Sequence, residues 1–100
     1  MRAIRGAALG LAMVFLGAVP AAANQIEEGT IVCGTHWTGY LTTITTDATI
    51  HDWENRATGE TKSRFWGAPG GQLTSHGYSN SAWTAETSGI LSIRDTGCLQ

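Results

Sequence analysis

"ATIHDWENRATGETKSRFW", residues 48 to 66, decides how this chain is built. Residues 48–54 and 60–66 are short runs rich in Thr, Ile and aromatic side chains, and the Asn, Thr and Gly between them favour a turn, so the stretch predicts a β-hairpin. Charge then selects the register. A five-residue loop sets Glu54 opposite Glu60, and like charges facing across a strand pair destabilise it. A four-residue loop, Arg56 to Gly59, instead pairs Asn55 with Glu60, Trp53 with Lys62, His51 with Arg64 and Ile50 with Phe65. In that register Ile50 and Phe65 are expected to point toward a core, while Trp53, His51, Lys62, Arg64 and Trp66 gather on the opposite face.

That second face is the candidate ligand-binding surface. Flat aromatic rings beside cationic hydrogen-bond donors suit an anionic or sugar-containing partner, such as a cell-wall or extracellular polysaccharide or an anionic envelope component. The competing explanation is structural: Lys and Arg stems often lie over rings on an ordinary sheet, and a core poor in aliphatic side chains needs its tryptophans inside.

The texture of the hairpin continues in both directions. Residues 24–100 contain 14 threonines and ten glycines, and no window of helical length shows a 3.6-residue apolar period. Strands are predicted over 30–36, 39–46, 48–54, 60–66, 72–76, 81–87 and 90–95, each short and bounded by turn residues. Such spacing predicts an all-β domain, a small antiparallel sandwich or partly closed barrel of six or seven strands. "GAPGGQ", 67–72, is a loop within this single domain, because no second core exists to be linked.

Residues 1–23 have a different character. Arg2 and Arg5 precede the apolar run "GAALGLAMVFLGAV", and "PAAA" at 20–23 offers an Ala-x-Ala cleavage site. This is the pattern of a secretory signal peptide cut after Ala23. The apolar run of roughly 14 residues falls short of the about 20 that span a bilayer, so no transmembrane segment is expected in the mature protein. The expected location is extracellular.

The 77 residues that follow include only 11 Ile, Leu or Val. A domain of this size buries only around 60% of its unfolded surface and usually needs a staple. Cys33 and Cys98 lie near the two ends of the segment, and export permits a bridge between them. Free thiols and intermolecular pairing are the alternatives. No Cys or His spacing matches a zinc framework, and neither a metal nor a cofactor is expected.

Four basic side chains stand against eight acidic ones in residues 24–100, a balance of −4. A nucleic-acid partner would call for a basic face, so that class is excluded from the expectations. "GYSNS", 77–81, falls short of a nucleophile elbow, which also needs a strand-to-helix turn. His36, His51 and His76 are scattered, and the expectation is a non-enzymatic domain, with a small hydrolase as a minority alternative.

The order "GTHWTGY", then "ATIHDW", then "SAWTAE" resembles the lactococcin-type bacteriocins. The resemblance implies a small secreted bacterial β-sandwich domain, and a toxin acting on competing bacteria by binding a cell-wall precursor as one alternative function. The Cys33 and Cys98 pair and the "GCLQ" ending depart from that family's pattern, and no functional residue is carried over.

Overall fold

Alternating side chains and closely spaced turns produce seven antiparallel strands in the computed structural model, which describes residues 24–100. They are β1 (Gln25–Val32), β2 (Thr38–Thr45), β3 (Thr49–Asn55), β4 (Thr61–Trp66), β5 (Gly71–His76), β6 (Asn80–Thr87) and β7 (Leu91–Leu99). Two sheets form, with strand orders β1-β6-β3-β4 and β5-β2-β7. They face one another as an open sandwich and do not close into a barrel. No helix occurs among the described residues, and hence none long and apolar enough to cross a membrane. The expected signal peptide lies outside the described residues.

Two boundaries differ from the sequence expectation. The first strand begins at Gln25 and ends at Val32, well before the predicted 30–36. It is an edge strand, bonded on one side to β6 and exposed over most of its length. "QIEEG" therefore lacks the apolar alternation that marks a half-buried strand. The last strand extends to Leu99 because a bulge intervenes: Thr42 faces Asp95 while Thr43 faces Ile93, leaving Arg94 as the extra residue. A one-residue insertion reverses which side chains face inward. Leu91 and Ile93 pack inward before the bulge, and Cys98 packs inward after it.

That reversal delivers Cys98 to its partner. Cys33 and Cys98 are bridged, with Cα atoms 5.8 Å apart, tying the end of β1 in one sheet to β7 in the other. Closing a loop of 65 residues in sequence restricts the unfolded chain by about 4 kcal/mol on the chain-entropy estimate.

Between the sheets sit six buried apolar residues, Ile31, Leu41, Trp53, Leu73, Trp83 and Ala85, but also seven buried polar ones, Thr43, Thr45, Thr49, His51, Ser75, Ser81 and Thr87, while Thr42 is buried on the other face of β2 beside Thr74. The interior is thus polar by number, and its hydroxyls must find partners. They do so locally. Thr49 Oγ1 donates to Thr45 Oγ1 at 2.7 Å, Thr87 Oγ1 to Ala48 O at 2.7 Å, and Ser81 Oγ to Tyr78 O at 2.9 Å. The first joins the end of β2 to the start of β3, and the other two tie β6 to neighbouring turns.

Candidate functional site

The β3–β4 hairpin adopts the four-residue loop that the charge pattern selects. Asn55 N donates to Glu60 O at 2.7 Å, and the ladder pairs Trp53 with Lys62, His51 with Arg64 and Ile50 with Phe65. Asn55 also organises the turn: its side-chain oxygen accepts from Ala57 N at 2.9 Å, its carbonyl from Gly59 N at 2.7 Å. Gly59, at φ +82°, supplies the left-handed step.

The facing of the hairpin is the reverse of the expectation. Trp53 and His51 are 2% and 0% exposed, whereas Phe65 is 68% exposed. Trp53, His51, Lys62, Arg64 and Trp66 do share one face, and that face turns inward, with Ile50 and Phe65 outward. Asp52 and Glu54 explain why. They share the Ile50 face at alternate positions, and two carboxylates cost far more to bury than Thr49, His51 and Trp53. Two charged positions outweigh one isoleucine and one phenylalanine.

Once inside, His51 becomes the hub of a closed network. Its Nε2 lies 2.9 Å from Thr43 Oγ1 on β2, and its Nδ1 lies 2.6 Å from Ser75 Oγ on β5. Ser75 Oγ also accepts from Trp53 Nε1 at 2.8 Å. The donors and acceptors match a neutral imidazole in which one ring nitrogen donates and the other accepts. Burial pushes the His51 pKa down to about 4, against the attraction of Asp52 and with help from the positive charge of Arg64. The Trp66 ring meets the imidazole edge-on, with centroids 4.6 Å apart. Ser75 and His51 resemble a nucleophile and base in spacing, yet both are sealed between the sheets and Thr43 occupies the position of an orienting acid.

Lys62 and Arg64 lie farther out, because β4 is the edge strand of a four-stranded sheet packed on a three-stranded one. Their cations are engaged within the molecule. Lys62 Nζ donates to Gly77 O at 3.3 Å and sits 4.5 Å above the Tyr78 ring, while the Arg64 guanidinium lies 5.2 Å from the Trp66 ring. Gly77 also makes the fit of Trp53 possible, since a Cβ there would lie 2.0 Å from the indole. Of the five candidate binding residues, Trp53 and His51 offer no surface to a ligand, and Lys62, Arg64 and Trp66 form a narrow rim.

The open site lies on the other face of the same sheet. Side chains that alternate along antiparallel strands line up across them in rows. One row runs Glu28, Thr84, Asp52, Ser63, and the next Thr30, Ala82, Glu54, Thr61. Together they line a groove of about 680 Å³. Ser63 Oγ donates to Asp52 Oδ1 and holds that carboxylate in place. A third row, Ile26, Glu86, Ile50, Phe65, sets apolar side chains beside the groove. None of the groove residues is singled out by the sequence motifs. The signal that marks them is a hydroxyl or carboxylate at two successive alternate positions of each strand: Glu28 and Thr30 on β1, Asp52 and Glu54 on β3, Thr61 and Ser63 on β4.

Among the described residues, no group of three His, Cys, Asp or Glu side chains is placed to hold a metal ion. Compared with protein-family models, curated proteins and solved structures, the chain matches none.

Proposed function

We propose that this domain is a secreted, non-enzymatic binding module whose groove on the outer face of β1-β6-β3-β4 takes an uncharged or amino-bearing extracellular glycan. One observation carries this reading: Glu28, Asp52 and Glu54 converge with the hydroxyls of Thr30, Ser63 and Thr84 in a single open groove. Carboxylates accept hydrogen bonds from sugar hydroxyls, and such charge-assisted bonds are about twice as strong as neutral ones. The exposed Phe65 ring on the adjoining row offers a flat apolar surface to a sugar's C–H face. An anionic envelope component fits less well, because the groove repels it and the Lys62 ammonium already bonds Gly77 O and lies over the Tyr78 ring.

Binding of the purified domain to isolated cell wall, to a neutral polysaccharide and to an anionic one tests the proposal. Asp52→Asn with Glu54→Gln is expected to weaken binding to the first two at least tenfold, whereas Arg64→Ala, outside the groove, leaves it within about twofold, since side chains outside a contact carry little of its energy. The opposite pattern transfers the site to the basic rim and overturns the groove. Growth inhibition of other bacteria by the domain would favour the bacteriocin alternative, and release of reducing sugar would favour the hydrolase.

A further inference from the structure

The two edges of the four-stranded sheet, β1 and β4, match one another along three successive rows. Rows that cross the sheet begin on β1 and end on β4. Ile26 and Phe65 terminate one row, Glu27 and Arg64 the next, and Glu28 and Ser63 the one after. These three successive rows each end in a compatible pair: apolar with apolar, acid with base, carboxylate with hydroxyl. Ile26 and Phe65 are 56% and 68% exposed, and Glu27 and Arg64 are exposed as well.

The backbone groups match in the same rows. Asn55 N donates to Glu60 O, so by the alternation of an antiparallel ladder the even-numbered residues of β4 turn toward β3. Thr61, Ser63 and Phe65 turn outward. Cys33 N donates to Ser79 O, which fixes the odd-numbered residues of β1 as those bonded to β6 and leaves Ile26, Glu28 and Thr30 outward. Every neighbouring pair in the sheet is antiparallel, so β1 of a second copy laid against β4 in the same orientation is antiparallel too.

We propose that copies of this chain associate head to tail, β4 of one against β1 of the next, continuing the sheet with Phe65 on Ile26 and Arg64 beside Glu27. The register is selective. Sliding β1 by two residues in either direction sets Phe65 against Glu28 or Asn24 and loses the apolar pair. The second sheet, one strand narrower, leaves Lys62 and Arg64 exposed beneath β4, and the next copy covers them. Because the joined patches differ, the contact is heterologous and leads to an open array or a ring, not an isologous dimer. Exposed strand edges are commonly blunted by charge of one sign. Here the signs on the two edges are opposite, which favours pairing between them and opposes pairing of either edge with itself.

Sedimentation velocity of the disulfide-bonded chain over a concentration series, at low ionic strength, tests it. The expected result is a mass that rises past the dimer with concentration and falls with added salt. Arg64→Glu and Glu27→Arg each place like charges together and are expected to weaken association about five- to tenfold. Combining both in one chain, or mixing the two single variants, restores it to within about threefold. Phe65→Ser weakens association in all of these backgrounds. Circular dichroism of each variant establishes that the fold is kept. A monomer at every soluble concentration, a mass that stops at the dimer, or single charge reversals without effect overturns the proposal.

Discussion

The inner and outer faces of the β1-β6-β3-β4 sheet draw on similar side chains to opposite ends. Both mix hydroxyls, aromatic rings and few aliphatics. On the inner face Thr43, His51, Ser75 and Trp53 form one chain of bonds linking β2, β3 and β5. On the outer face Glu28, Asp52 and Glu54 stand in an open groove with hydroxyls around them. What separates the covered part of the inner face from the groove in this molecule is therefore the absence of fixed charge, not the abundance of apolar atoms. A hydroxyl or neutral imidazole can be buried at modest cost when bonded, whereas a carboxylate cannot.

If that contrast holds, the largest effect belongs to Trp53→Ala. It opens a cavity and strips Ser75 of a donor, and a loss of about 3 to 5 kcal/mol is expected. Chemical denaturation should find the variant largely unfolded, while Phe65→Ala, a change of similar chemistry on the outer face, stays within about 0.5 kcal/mol of the parent. Equal losses for the two would break the distinction between the faces.

The next effect is one of pH. His51 is held near 4 in the fold against about 6.5 in the unfolded chain, so the unfolded state takes up its proton first as pH falls. The stabilisation is complete above about pH 6.5 and is lost progressively down to about pH 4, by at most roughly 3 kcal/mol. Stability curves at several pH values check this. His51→Gln should be less stable at neutral pH and show a flatter slope across that window than the parent.

A smaller change sharpens the comparison. Ser75→Ala removes the shared partner of His51 and Trp53, leaving buried donors unsatisfied, and about 1 to 3 kcal/mol is expected. The smallest effect is that of Ser63→Ala on the outer face. Water replaces its hydroxyl at Asp52, and the midpoint of thermal unfolding should move by no more than about 4 °C, as for a surface change within ±0.5 kcal/mol in a domain of this size.

Much of the architecture is legible along the chain. Turn residues at close intervals, the absence of a helical period and the like-charge conflict between Glu54 and Glu60 are local facts, and they yield seven strands, the hairpin register and the export-compatible cysteine pair without any knowledge of packing. Local facts do not say which face of a strand is covered. For residues 49–54 the two faces differ by a choice between Ile50 with two carboxylates and His51 with Trp53, and hydrophobicity alone points to the wrong one. Only the second sheet resolves it, by bringing Thr43 and Ser75 to the two ring nitrogens of His51 and Gly77 against the indole of Trp53. The groove depends on tertiary structure for the same reason. Glu28, Asp52 and Ser63 are dispersed over 36 positions in the sequence, and they become neighbours only because β6 inserts between β1 and β3. Strand order is set by which long-range pairings bury the most surface with the fewest polar groups left unpaired, a property of the assembled sheets that no single segment carries.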